Sequence, residues 1–585
     1  MKKVFGILAV FAAILTFAGI SITSITGCGG GSSPTPTPTP ALALSPSAVA
    51  VPIGGSQAFS TTLSSPTWSV NGPGTISQTG VYQAPGTFPS PNGATVTASA
   101  GGQIASASVT VVFPNNNASN QTAPVLLGTS GGNVNDNSTD GKACCIGTLG
   151  SLLNRGGTLF ILSNNHVLAR STLAANGELI DQPGQAGCPP GSQGLTVATL
   201  SQQAKLKPTA TSNGHAPDNV DAAIAQIVVG TVDTNGTILD LGPANGTSVA
   251  ALPPASTPLS ASIAIASHPG VAKSGRTTGL TCSTLQAALV DGVQVSYDQS
   301  CGGAVAFTAL FDGQLVINGG TFSAGGDSGS LVVTSDTAQP VGLLYGGNSA
   351  STVANTILDA VEGAVTHPGV LSAFNNGTAP TIVGGGTHAV SCVPTGQASA
   401  IVSAQSAISP RQQQIVSAVR DRHAAQLMAG ERAIESVKAG ASADSPGEGA
   451  LLIEVSAAPA SRVPAVIEGI RTRVIYPDGT VSTTLAAEEF NRGLAAKANH
   501  RSEYVGQHGI QGYGIGRSDD APGETAIVIY TIRGASHPYI PPVLDGVRTK
   551  IVEGEPFRAS HWNPKLESAA GSCSKAQQKL TGKLK

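Results

Sequence analysis

The sequence predicts a multidomain, mainly β chain that closes on an α+β segment. Three observations carry this expectation. Between residues 41 and 376, apolar residues come in short, often alternating runs separated by Gly, Pro and Asn clusters, the pattern of strands and turns. Glycine is abundant, at 73 of 585 residues, and charge is scarce, at 11%; an average domain carries about 25% charged residues. From residue 399 charge rises and helical periods appear. The length allows about three to five domains. A formal net charge of −3 supplies no basic field for nucleic acid. A hydrophobic content of 41% excludes a wholly disordered chain.

The first residues read as an export signal. Met1-Lys2-Lys3 is a short positive segment, and an apolar run follows from Val4 to about Ile20. Ile25-Thr26-Gly27-Cys28 then resembles the bacterial lipobox, in which the chain is cut before the Cys and the Cys takes lipid. Residues 1–27 are therefore expected to be a signal peptide, with Cys28 lipidated and the protein held at a membrane. Plain secretion and a retained anchor are the alternatives. Residues 28–40, Gly-rich and then a Pro-Thr repeat, read as a tether.

Eight cysteines agree with export. Without Cys28 their number is odd, so at least one thiol lacks an intrachain partner. Cys282 and Cys301 bracket an alternating apolar stretch, and a disulfide closing that hairpin is expected. Cys188 is expected to pair with Cys144 or Cys145. No C-x-x-C spacing occurs, and no metal is expected.

Residues 41–114 contain Trp68-Ser-Val-Asn-Gly and then Gly80-Val-Tyr-Gln-Ala-Pro85, which resemble bacterial Ig-like repeats. That resemblance implies a β-sandwich with Trp68 in its core. Residues 115–140 read as a linker.

Residues 141–376 hold the chemistry. Leu162-Ser-Asn-Asn-His166-Val-Leu puts a His after an apolar run. Asn219-Val-Asp221-Ala-Ala-Ile-Ala puts an acid at the head of a strand. Phe322-Ser-Ala-Gly-Gly326-Asp327-Ser328-Gly329-Ser-Leu puts a Ser in a Gly-rich turn before another strand. Singly these are ordinary turn or core residues. In the order His, Asp, Ser they differ from the α/β-hydrolase and subtilisin orders. With Gly275-Arg276-Thr277-Thr278-Gly279 between them, this stretch resembles trypsin-like (chymotrypsin-fold) serine peptidases of a bacterial branch.

The resemblance implies a double β-barrel of chymotrypsin type and a serine endopeptidase that needs no cofactor and takes a peptide or protein substrate. Ser328 is the implied nucleophile, His166 the general base and Asp221 its orienting acid. The backbone N–H groups of Gly326 and Ser328 form the implied oxyanion hole. Phe322, Tyr345, Gly346 and Gly347 fall at the substrate pocket. Trypsin carries an acid where Phe322 stands, so a preference for Arg or Lys is not expected. Digestive members pair a freed N-terminal amine with the Asp before the Ser, and Asp327 must find another partner. Arg276 reads as a turn residue. The long tether, the Ig-like module and the open question of Asp327 support an alternative, a surface binding or adhesion protein with a dormant peptidase-fold domain. Self-processing of the chain's own linkers lies between the two.

Residues 377–398 read as a second linker. Ser409-Pro410-Arg-Gln412 then has the form of a capped helix start, with Ile415, Val416, Val419 and Leu427 on one face. Pro446-Gly-Glu-Gly-Ala-Leu-Leu-Ile453 matches Pro522-Gly-Glu-Thr-Ala-Ile-Val-Ile529, and Ile467-Glu-Gly-Ile-Arg-Thr-Arg-Val474 matches Leu544-Asp-Gly-Val-Arg-Thr-Lys-Ile551. Residues 399–585 are thus expected to be a helical segment plus a duplicated α+β accessory domain, with a helix near Leu485 to Ala498 between the copies. Gly512-Tyr-Gly-Ile-Gly-Arg-Ser518 lacks the spacing of a nucleotide loop and reads as a structural strand.

Overall fold

The computed structural model describes residues 43–136, 146–184, 194–209, 219–298, 304–392, 408–457, 462–477 and 484–559. The chain is mainly β, with 44% strand and 12% helix, and includes a closed six-stranded barrel and a half-barrel. Cys28 with the expected signal peptide and tether, and Cys144, Cys145, Cys188 and Cys301, lie outside the described residues.

The first β module builds a four-stranded sheet and a three-stranded one. In Gln103–Val112 every second residue from Ala105 to Val111 is buried, the period-2 pattern of a half-covered strand. Trp68 is buried, as expected, and a Cβ on Gly80 would strike its ring, so the second sheet closes over the indole.

The half-barrel orders its antiparallel strands as Thr129–Asn133, Leu179–Gln182, Leu195–Gln203, Ala223–Ile227, Thr158–Ser163 and Ser151–Arg155. Two expected linkers belong to it. Val125 and Leu127 are fully buried, and Thr129–Asn133 is a strand, so the described part of the expected 115–140 linker, residues 115–136, is not a free connection. Nor are residues 377–392, the described part of the expected 377–398 linker, because Thr381–Ile382 pairs with Ser151–Arg155. Both segments are polar enough to read as loops, and ladder pairing with distant strands overrides that local signal.

The closed barrel runs Gly270–Gly275, Gly279–Asp291, Gln314–Asn318, Ser351–Thr356, Pro340–Gly347 and Leu331–Thr334, and the last strand pairs back with the first. The expected Cys282–Cys301 bridge is corrected here: Cys282 is bonded to Cys392, 110 residues away. The hairpin that bridge presupposed does not form. Gly279–Asp291 pairs with other strands of the barrel, while Val293–Asp298 pairs with Val305–Phe311.

The C-terminal repeat is longer than its matching segments. Each copy begins with a helix, Pro410–Gly430 or Ala487–Tyr504, so the second helix opens copy two and does not merely separate the copies. Ser409 caps the first helix in a full capping box; Val416 and Val419 are buried, whereas Ile415 is exposed. The copies grip each other reciprocally. The Ser442 hydroxyl bonds Asp520 and the Ser518 hydroxyl bonds Asp444. Arg471 Nη1 donates to Thr549 O and Arg548 Nη1 donates to Thr472 O, each at 2.7 Å.

Copy two is not a separate domain. Its strand Ile510–Arg517 pairs with Gly279–Asp291, extending the barrel sheet. This explains the glycines of 512–516: a Cβ on Gly516 would lie 2.2 Å from Gln286 O, and one on Gly514 would lie 2.6 Å from a Val290 methyl. The helix Ala487–Tyr504 is tied to the barrel by buried Lys497, 2.8 Å from Asp291, and by Arg501, which reaches both Asp291 and Asp312. Lys497 also meets Glu362.

Replacing Lys497 with Met would leave Asp291 buried with part of its compensation gone. Lys497→Met is expected to cost about 3–5 kcal/mol in denaturant unfolding. Burial alone would raise the Asp291 pKa, but Lys497 and Arg501 outweigh it and hold the carboxyl below its ordinary range. This stabilisation is therefore present above the usual carboxylate pKa of about 4 and is lost as pH falls through the lower folded value. Unfolding curves between neutral and strongly acid pH check both the size and the sign.

Candidate active site

The ladder between Thr158–Ser163 and Ala223–Ile227 sets Ser163 opposite Ala223. Residues just past the first strand and just before the second therefore meet at one end of the half-barrel. His166 sits there on a single helical turn, Asn165–Leu168, and Asp221 heads the facing strand. His166 Nδ1 is 2.6 Å from Asp221 Oδ2, and both residues are fully buried. The His166 backbone N–H also donates to Asp221 Oδ1 at 3.2 Å.

The acid is further fixed from three sides. The Tyr297 hydroxyl donates to Asp221 Oδ2 at 2.8 Å. Asn164 Nδ2 donates to the Asp221 carbonyl at 2.7 Å. Asn355 takes the Asp221 N–H and gives its amide to the same carbonyl, each at 3.1 Å. Burial and the Asp221 charge push the Tyr297 pKa well above its ordinary value, so this phenol stays a donor. Its ring lies edge-on to His166, 5.9 Å between centroids.

Ser328 comes from the other barrel. Its loop precedes Leu331–Thr334 and is clamped to Pro340–Gly347, where Gly329 N donates to Leu344 O at 2.8 Å and Leu344 N donates to Ser330 O at 3.0 Å. Thr148 joins the loop to the half-barrel: its N–H donates to Ser328 O at 2.8 Å and its hydroxyl to Gly326 O at 2.9 Å. A Cβ on Gly147 would strike both Ser328 O and the side chain of Val167, the neighbour of His166. Ser328 Oγ donates to Tyr345 O at 3.4 Å. Gly326 and Gly329 adopt φ of 97° and 93°, a region that side-chain-bearing residues rarely enter, which accounts for both glycines.

Asp327 finds its partner inside the chain. Its Oδ1 accepts from the N–H groups of Thr277 and Thr278 at 2.8 and 3.1 Å. Its Oδ2 accepts from the Thr278 hydroxyl at 2.7 Å and from Ala324 N at 3.0 Å, with Lys273 Nζ 3.4 Å away. Lys273 and Asp327 are both fully buried. The Gly275-Arg-Thr-Thr-Gly279 motif is thus the turn that cradles this carboxylate, and Arg276 sits in the turn as expected.

The residues expected at the substrate pocket separate into side chains and backbone. The Phe322 side chain is buried in the barrel core, 5.8 Å from Lys273 Nζ at its ring centre. The Tyr345 ring packs inward against Phe311. Gly346 and Gly347 present backbone, paired with Ala559 and Arg558. Asp218 and His215, which lie near Asp221 in sequence, fall outside the described residues.

Sequence reasoning missed Tyr297, Asn355, Thr148 and Lys273. Only Lys273 leaves a signal: in Gly270–Gly275 it shares the inward parity of Val271, a place where an alternating strand puts an apolar residue. Elsewhere, Asp291, Asp312 and His367 bring ligand-type atoms within 4.8 Å of one another. Lys497 and Arg501 already supply the cationic charge there, so the group works as an ionic joint.

A scan of the sequence against known protein families finds no match, and a search of curated proteins finds none either.

Removing the Lys273 charge while keeping its bulk tests the cradle. Lys273→Met is expected to cost about 3–5 kcal/mol because it strands a buried carboxylate. Thr278→Val, which removes one hydroxyl bond, is expected to cost about 1–3 kcal/mol. Equilibrium denaturation of the two variants beside the parent checks the order.

Proposed function

We propose that the chain is an exported serine endopeptidase that works through His166, Asp221 and Ser328. The observation that carries the reading is the buried 2.6 Å contact between Asp221 and His166 Nδ1, together with a Ser in a Gly-rich loop clamped from both barrels. A carboxylate on Nδ1 selects the tautomer whose Nε2 accepts a proton.

In the proposed reaction, Ser328 Oγ forms a bond to the substrate carbonyl carbon as its proton passes to His166 Nε2. The carbonyl electron pair moves onto oxygen, where the N–H groups of Gly326 and Ser328 stabilise it. Collapse of that intermediate breaks the C–N bond, and the imidazolium gives its proton to the departing amine. Water then attacks the acyl carbon as His166 takes its proton; the ester bond to Ser328 Oγ breaks, His166 returns the proton to Oγ, and the acid product leaves. Asp221 steadies the imidazolium, aided by the Tyr297 hydroxyl. The Lys273–Asp327 contact holds the Ser loop without a freed N-terminal amine, so proteolytic activation is not required. The lipobox-like Ile25-Thr26-Gly27-Cys28 supports a place for this enzyme at the cell envelope, held through Cys28.

A serine-reactive fluorophosphonate tests the site directly. The parent protein is expected to label and Ser328→Ala to remain unlabelled. Asp221→Asn is expected to lower kcat by about 10⁴, the usual effect of the wrong tautomer. Absence of labelling in folded parent protein would sink the reading and favour the dormant adhesion protein. The rate should also fall on the alkaline side. Burial lowers the Lys273 pKa, only partly offset by Asp327, so its ammonium is lost below the ordinary lysine range. A pH profile of labelling that stays flat up to the usual lysine pKa of about 10.4 contradicts this role for Lys273.

Tyr297→Phe removes a single donor from Asp221 without changing the ring. Its kcat is expected to drop by about tenfold, the worth of one hydrogen bond to a charged group, with KM little changed. Steady-state kinetics on a peptide substrate distinguish this from a packing defect, which would appear in the melting temperature.

A further inference from the structure

The last described strand of the chain, Phe557–Ala559, does not stay with its own repeat. It leaves copy two and enters the barrel sheet between Val293–Asp298 and Pro340–Gly347. On one side it runs parallel, with Phe557 opposite Val295. On the other it runs antiparallel, with Arg558 opposite Gly347 and Ala559 opposite Gly346.

Those two glycines are the backbone part of the substrate pocket in the peptidase reading, on which this inference rests. Tyr345, the next residue along, is the one whose carbonyl accepts from Ser328 Oγ. The strand thus lies along the edge leading to the nucleophile, in the extended form a peptide takes when it adds to a sheet edge.

Its approach is anchored. Asn348 Nδ2 donates to Glu555 O at 2.6 Å. Gln511 Nε2 donates to the same carbonyl at 3.2 Å, and its Oε1 accepts from Phe557 N at the same distance. Phe557 is buried against Tyr530. A Cβ on Gly346 would lie 2.6 Å from Arg558 O, so only a glycine there admits the strand so closely.

The geometry points to self-occupation of the substrate groove: Phe557–Ala559 is a peptide held in cis on Gly346 and Gly347, and an external peptide must displace it. A segment tethered this closely acts at an effective concentration on the order of millimolar. It raises the apparent KM for peptides and leaves a small reagent's access to Ser328 unchanged. The duplicated C-terminal region then has a task, to present this strand.

The test cuts the chain after it has folded. A recognition sequence for a foreign protease is inserted between exposed Glu555 and Pro556 of the full-length protein, and peptide hydrolysis and fluorophosphonate labelling are measured before and after cleavage. After cleavage and dilution, KM is expected to fall about tenfold or more, with the labelling rate unchanged, and an added synthetic Glu555–Ala559 peptide is expected to restore the higher KM competitively. In the uncut chain Arg558→Pro, which takes one N–H from the strand, is expected to lower KM as well. Normal labelling with an unchanged or raised KM after complete cutting overturns self-occupation alone. No labelling at Ser328, cut or uncut, overturns the peptidase reading and self-occupation with it.

Discussion

A buried carboxylate, Asp327, organises the loop that ends at Ser328. It is satisfied by two backbone N–H groups of the turn at 277–278, the Thr278 hydroxyl, Ala324 N and the ammonium of Lys273. Burying a charge without such partners costs several kcal/mol, so the loop is stable only in a shape that brings these donors together. That shape gives Gly326 and Gly329 their left-handed backbone and sets Ser328 between them. The amine that holds Asp327 belongs to a strand of the same barrel. The loop is therefore built as the barrel closes, with no dependence on where the chain begins.

The second half of the proposed site depends on the first through Thr148. One residue of the half-barrel bonds both Gly326 and Ser328, and its hydroxyl also accepts from Arg276 N. Asp221 is braced across the same divide by Tyr297 and Asn355, which belong to the side of Ser328. Neither barrel contains the proposed arrangement alone. Polar groups buried on both sides are satisfied only when the two meet, which makes the junction specific as well as stable.

The C-terminal repeat extends this logic outward. Its two copies exchange Ser–Asp and Arg–Thr bonds by an approximate twofold relation, and only copy two continues into the barrel sheet. Asp444, one of the exchanged carboxyls, is held up to about 7 by burial and by the neighbouring Asp520 charge. Both carboxyls accept hydroxyl and N–H bonds, so the joint tolerates two acids in a dry place. The lysine and arginine of the second helix bind acids of the barrel, which fixes the orientation from which Phe557–Ala559 sets out.

Much was legible in the residues themselves. Period-2 runs marked most strands, Trp68 declared a core, and Ser409 with Gln412 specified a helix start by local hydrogen bonds. The repeat was visible as matching strings, and three short segments marked His166, Asp221 and Ser328 as candidate catalytic residues. These signals are local: turn chemistry, capping and alternation act within a few residues and survive in a one-dimensional string. The partners of Cys282 and Asp327, the membership of residues 125–133 and 381–382 in the half-barrel, the donors around Asp221 and the course of Phe557–Ala559 were decided only by tertiary structure. Each depends on contacts between residues tens to hundreds of positions apart, where ladder register and the need to satisfy buried charge override local appearance.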